Sequence, residues 1–322
     1  MPQRLRSLEL YRVNAFQAHC QIVKMQFLEP WVQSIQNKPT EDINMLPEIW
    51  SKENIGAIII DDRPTPQLRA CVLNTLLMGM RRWQVSVYTT SKALDAMKTL
   101  FKDLEPFVKI NCLEQTDSEF GWNGYNQLLK NADFWQSLDH DKILIFQTDT
   151  LLIKPVDFEY FKYDYVGSPW AKNRYDSHSF PRYSKTLNRI EAAIESRIYC
   201  NSVPDGLING NGGLSIRNPK LMAEICIKHS NKSPSDEAED IFFAQHINSH
   251  SRAIAPPEIV ESFCCETEYR GTCGAHAAWR YIDARDCAAL YEEHCKHVMA
   301  LVEASITTTQ NSKNSMDNIA NQ

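Results

Sequence analysis

The chain reads as an α/β protein built on a mostly parallel sheet flanked by helices. Three observations predict this. Four short apolar runs, at Ala57–Ile60, Val85–Tyr88, Phe107–Ile110 and Lys142–Phe146, are apolar enough to be buried on both faces. Between them lie segments with apolar residues at helical spacing. Strand and helix alternate four times, the pattern of a parallel sheet with right-handed crossovers.

The elements follow in order. In the N-terminal segment, residues 1–50, Leu8, Tyr11, Phe16, Val23, Phe27, Leu28, Trp31 and Ile35 recur at helical spacing. They predict one or two helices packed on the main domain, ended by Asn37-Lys38-Pro39-Thr40. The main domain spans 55–303. Its first strand runs into Asp61-Asp62-Arg63-Pro64, after which Thr65 caps a helix with Pro66 at its first position and Leu68, Val72, Leu76 and Met80 on one face. The second helix carries Leu94, Met97, Phe101 and Leu104 inward until Pro106. A third helical stretch runs from Trp122 to Leu138. After residue 150 the alternation gives way to turn-rich sequence with mixed strands and a closing helix from Asp283 to Val302. The polar tail, 304–322, is expected to be disordered.

Composition narrows the function classes. A hydrophobic share of 43% and a charged share of 23% are those of a soluble globular protein. A net charge of -6 gives no general attraction to nucleic acid or anionic lipid, so neither is an expected partner. No apolar run reads as a signal h-region or a membrane span, so the expectation is a soluble, cytoplasmic protein. The ten cysteines are scattered and read as reduced, small buried residues. Cys264, Cys265, Cys273 and His276 lack the paired spacing of a zinc site.

Ligands of such sheets bind beyond the carboxyl ends of the strands. Phe146-Gln147-Thr148-Asp149-Thr150 stands there, after the fourth strand. One rigidly held carboxylate plus a neutral amide oxygen suits a hard divalent cation that keeps part of its shell for water and phosphate. A strand-end Asp that simply caps a turn is the plain alternative. A phosphatase with an aspartyl nucleophile is excluded, because its nucleophile position holds Gln147.

The runs KILIFQTDTLLI, YDYVGSPW, NGNGGLSIRN, AEDIFFAQH and GTCGAHAAW occur in that order. As a set they resemble a family of A-type glycosyltransferase-like (GT-A-like) proteins, largely a domain of unknown function, in which Gln-Thr-Asp replaces the usual Asp-x-Asp. The resemblance covers roughly residues 55–280. It implies a GT-A-like, Rossmann-like fold, a nucleoside diphosphate sugar as donor and a divalent cation, Mn2+ or Mg2+. Carried over by position, Asp149 is the metal ligand with Gln147 beside it, and His276 resembles the late histidine that completes such cation sites. Asn211, Gly212 and Gly213 lie in a Gly-rich segment expected to be a loop facing donor sugar and acceptor; a tight turn is its plain alternative. Asp240 is the candidate base and Glu239 its alternate, although acids at a helix N-terminus have a sufficient structural reason. Asp61, Asp62 and Arg63 are candidate donor contacts, and Tyr125-Asn126 resembles the family's Tyr-Asn pair. Trp170 is either a sugar-stacking platform or core.

The reaction implied is metal-dependent transfer of a sugar to a hydroxyl of a glycan or other acceptor, with inversion and Asp240 as base, and retention as the open stereochemical alternative. Two alternatives stay open: a catalytically silent sugar- or nucleotide-binding module that kept the fold, and a nucleotidyltransferase. The second lacks its triphosphate loop, since Asp61-Asp62-Arg63-Pro64-Thr65 is neither Gly-rich nor basic enough.

Overall fold

The computed structural model describes residues 3–36, 54–80, 82–105, 107–113, 120–169, 209–234, 237–266 and 268–320. Trp170 and the expected stop at Asn37–Thr40 lie outside them. The four apolar runs form β1 (Ile55–Ile60), β2 (Val85–Thr90), β3 (Val108–Leu113) and β4 (Lys142–Phe146). They are mutually parallel, in the order β3-β2-β1-β4. Strand alternation explains why both faces of β1 and β4 are apolar. Ala57, Ile59, Leu144 and Phe146 enter one core, and Ile58, Ile60, Ile143 and Ile145 the other. Burying each isoleucine or leucine stabilises the fold by about 1.5–3 kcal/mol against leaving it exposed.

The first core is closed by α3 (Pro66–Met78) and α4 (Leu94–Leu100), through Leu68, Val72, Leu76 and Met97. The Thr65 hydroxyl caps α3 by accepting from the Leu68 amide at 3.2 Å, as its sequence predicts. The stretch expected as one helix from Trp122 to Leu138 is two, α5 (Gly121–Leu129) and α6 (Ala132–Gln136). The break falls at Asn131, whose side chain accepts from the Asp133 amide and starts the second helix. Together with α7 (Pro219–His229) and α8 (Glu239–His250) they cover the second core through Leu129, Trp135, Met222 and Phe243.

Two antiparallel strands extend the sheet beyond β4, giving β3-β2-β1-β4-β7-β6 with β6 (Tyr165–Pro169) and β7 (Asn209–Arg217). A second, three-stranded sheet joins β5 (Thr150–Leu152) to β9 (Gly274–His276), and β9 to β8 (Cys264–Cys265). β8 follows α9 (Pro257–Phe263), while α10 (Ala278–Tyr281) leads from β9 to α11 (Ala284–Ala320).

Over residues 3–36 the N-terminal segment is helical, as expected. α1 (Gln3–Val23) passes through a π turn, Lys24–Leu28, into α2 (Glu29–Gln36). Pro30 lacks an amide hydrogen and its ring crowds the carbonyl one turn earlier, which the wider π turn relieves. Arg69 of α3 anchors α2 by a two-point bond to Glu29, at 2.7 Å each, and also holds Asp103. The expectation of a disordered tail is corrected, because α11 continues to Ala320. Val298 and Val302 seat it on the core and the Trp31 indole donates to Ser305 at 3.3 Å. Once seated, a helix extends through polar residues without a new nucleation cost. Among the described residues no helix is long and apolar enough to cross a membrane.

Candidate functional site

The chain leaves β1 for β2 and β3 on one side and returns to β4 on the other. Neighbouring connections therefore diverge at the carboxyl ends of β1 and β4, the switch point where such sheets bind their ligands. Asp61 follows β1 and Gln147–Asp149 follow β4.

The turn after β4 is tightly held. The Thr150 amide and hydroxyl both donate to the Gln147 carbonyl, at 3.1 and 2.7 Å. The Thr148 carbonyl accepts from the Gln67 side chain at 3.1 Å and from the Cys71 thiol at 3.3 Å, tying the turn to α3. The Asp149 carbonyl accepts from the Ala277 amide at 3.0 Å. β5 then pairs antiparallel with β9, placing Thr150 opposite His276. This brings His276 Nε2 to 3.5 Å from Asp149 Oδ1 across 127 positions of sequence. The following residue, Ala277, holds a left-handed φ of 49°, a strained backbone fixed by its bond to Asp149.

The pair reinforces its own ionisation. Burial pushes the Asp149 carboxyl up, but the charge and hydrogen bond of His276 outweigh it and leave it below its ordinary range. Burial pulls His276 down, and Asp149, with help from Glu266, brings it above its ordinary value. The Asp149 side chain keeps 35% of its surface open.

The segment 209–217, expected to be a binding loop, is strand β7. Its glycines serve close packing rather than a turn. A Cβ at Gly212 would sit 2.3 Å from Arg217 Nη2, and one at Gly213 2.2 Å from His276 Nε2. Because Phe146 pairs with Leu214, Asn211, Gly212 and Gly213 project past the end of β4 and flank the site. The Asn211 side chain is committed inward, donating to Glu266 Oε1 and accepting from the Gly213 amide, both at 3.0 Å.

Several of the expected contact residues have partners within the chain. Asn126 accepts from the Glu239 amide at 2.7 Å and so caps α8. Glu239 is bonded twice, at 2.5 and 3.0 Å, to Arg217, whose side chain is wholly buried. That guanidinium lies over Trp135, Tyr165 and Phe243, 5.1–5.8 Å from the ring centroids. Glu239 is thus the counter-ion of Arg217, while the Asp240 carboxylate accepts from the Ile241 amide at 2.8 Å. Burial, with the charges of Glu239 and Glu266, pushes the Asp240 carboxyl up to about 7. Asp61 is buried and gives both carboxylate oxygens to Arg63, at 2.9 and 2.7 Å. Arg63 itself remains 70% exposed, with Asp61, Asp62 and Asp149 holding its charge. Tyr125 is half-buried, and burial with the charges of Glu239 and Asp240 outweighs Arg217 and Gln147, so its hydroxyl is pushed up and stays protonated.

Two residues escaped sequence reasoning, Arg217 and Glu266. Both are buried charges whose partners lie far along the chain, and neither belongs to a periodic pattern. The nine described cysteines are free thiols. Among the described residues no three His, Cys, Asp or Glu side chains form a ready metal cluster, so the Asp149–His276 pair stands as two ligands, not a closed cage.

No curated protein matches the chain. The profile of a family described as a protein of unknown function (DUF5672) matches residues 109–278, from β3 through β9, which includes Gln147, Asp149, Asp240 and His276 but not the loop after β1. That stretch is more than half of the 322 residues, and the chain belongs to the DUF5672 family.

Proposed function

We propose that the protein is a metal-dependent glycosyltransferase of GT-A type, moving a sugar from a nucleoside diphosphate sugar to an acceptor hydroxyl with inversion. The observation that carries this reading is the meeting of Asp149 and His276 beyond β4, beside the sheet's switch point. Their 3.5 Å separation is close to the spacing of about 3 Å between adjacent ligands of an octahedral Mg2+ or Mn2+. When bound there, a divalent cation offsets the negative charge that gathers on a departing diphosphate.

The chain's own residues supply the rest. Arg63, buttressed by Asp61, presents an exposed guanidinium near Asp149 and suits the diphosphate oxygens. The backbone of Asn211–Gly213 offers a sugar an edge without side-chain bulk. Asp240, poised near neutrality, takes the acceptor proton as the bond to the sugar forms. Glu239 and Asn126 hold the N-terminus of α8 and so fix where Asp240 stands.

The test is release of nucleoside diphosphate from a panel of nucleotide sugars with Mn2+ and simple acceptors. Wild-type protein should turn over at least one donor, and Asp149→Asn should lose about a thousandfold of that rate. Binding of Mn2+ and a nucleoside diphosphate with no turnover of any donor would instead favour the silent binding module, to which the amide at Gln147 lends weight.

A further inference from the structure

Glu266 is a buried carboxylate beside His276 and Asn211, only 3% exposed. Its position follows from the backbone. β8 and β9 are parallel, with Cys264 opposite Gly274 and Cys265 opposite Ala275. Glu266 is the next residue and stands level with His276. Strand alternation turns it to the side that His276 uses.

A closed ring of contacts fixes both side chains. Asn211 donates to Glu266 Oε1 at 3.0 Å and accepts from the Gly213 amide at 3.0 Å. The bare Cα of Gly213 in turn leaves the room that His276 Nε2 occupies. Around the imidazole the two nitrogens face different acids. Nε2 points to Asp149 Oδ1 at 3.5 Å, while Nδ1 lies 3.8 Å from Glu266 Oε1 and is buried without a hydrogen-bond partner.

An imidazole binds a metal ion through one unprotonated nitrogen while the other carries a proton that needs an acceptor. We propose that Glu266 is the positioning residue of this site: its carboxylate accepts the hydrogen bond from His276 Nδ1–H and so keeps Nε2 unprotonated and aimed, beside Asp149, at a divalent cation. This rests on the cation reading above. Closing 3.8 Å to a hydrogen bond needs a shift of about 1 Å, the looseness usual before a site is loaded. Through the imidazole Glu266 also adds a second negative charge behind the cation, so Asp149 and Glu266 together match its double positive charge.

The experiment compares Mn2+ affinity, by titration calorimetry without any nucleotide, in wild type, Glu266→Gln and Glu266→Asp. Glutamine keeps the shape and an oxygen for Asn211 but removes the charge. Its Mn2+ affinity should fall by about 10- to 100-fold with the melting temperature nearly unchanged, and aspartate should recover part of the loss. Equal affinity in wild type and Glu266→Gln would overturn the role of Glu266 and leave the cation site standing. Absence of Mn2+ binding by wild type would overturn the cation reading itself. A nitrogen-15 spectrum of the Mg2+-loaded wild type, which does not depend on any variant folding, should show His276 carrying its proton on Nδ1. A proton on Nε2 alone would overturn the proposal.

Discussion

Thr150 stands directly opposite His276 in the antiparallel pairing of β5 with β9. Those two strands are three residues long, yet they decide where the candidate site lies. They carry a histidine from the end of the domain to the turn that follows β4, and the Asp149 carbonyl secures the crossing by accepting from Ala277.

Gly213 is the floor beneath that histidine. Its φ is not left-handed, so alanine is allowed by the backbone, but the new Cβ would meet His276 Nε2 at 2.2 Å. The imidazole is the movable partner and swings away from Asp149. Gly213→Ala should therefore cost about 1–3 kcal/mol of stability and at least about tenfold in Mn2+ affinity. Calorimetric titration of the folded variant checks this, and unchanged affinity would contradict it.

Asp240 sets a pH profile. With its carboxyl near 7, turnover should rise with pH through neutrality as the base loses its proton. The same shift has a stability consequence of definite sign. The native carboxyl binds its proton more tightly than the unfolded one, whose ordinary value is 3.8, so stability is lost as pH rises toward 7. Asp240→Asn should abolish turnover and yet raise stability at pH 8 by roughly 1–2 kcal/mol, by urea denaturation. A less stable variant at that pH would speak against the buried charge.

Glu239 belongs to the scaffold. Glu239→Ala would strand the Arg217 guanidinium among Trp135, Tyr165 and Phe243. A loss of about 3–5 kcal/mol is expected, far more than for an exposed acid such as Glu292. A loss below 1 kcal/mol at Glu239 would show that the pair does not hold the fold.

The N-terminal helix is locked by neutral histidines. His19 Nε2 meets His294 Nδ1 at 2.9 Å, and the other nitrogen of His294 meets Asn74 at 2.8 Å, itself bonded to Leu152 of β5. Burial pulls His19 to about 4 and His294 well below its ordinary value. Both charge near 6.5 when unfolded, so stability falls as pH drops from about 6.5 toward 4, by roughly 3 kcal/mol for His19 alone. Asp240 slopes the other way in this window, so the measurement belongs in Asp240→Asn. A denaturation midpoint flat from pH 7 to 4.5 in that protein would refute the lock.

The parallel strands were legible because Ile58, Ile60, Ile143 and Ile145 leave no polar face to mistake. β7 was not, since Gly210, Gly212 and Gly213 carry the signature of a loop and their strand role depends on what packs over them. Asp149, Asp240 and His276 were legible as residues, but their roles were sorted only by distant partners. Arg217 claims Glu239, the α8 amide claims Asn126 and Glu266 claims Asn211. A buried charge such as Glu266 has no local pattern to reveal it.

The most direct test is the position of Mn2+ in crystals soaked with Mn2+ and a nucleoside diphosphate, located by anomalous scattering. We expect one peak about 2.1–2.3 Å from both an Asp149 carboxylate oxygen and His276 Nε2, with diphosphate oxygens completing its shell. A peak elsewhere, or nucleotide bound at the switch point with no metal between it and Asp149, would contradict the account.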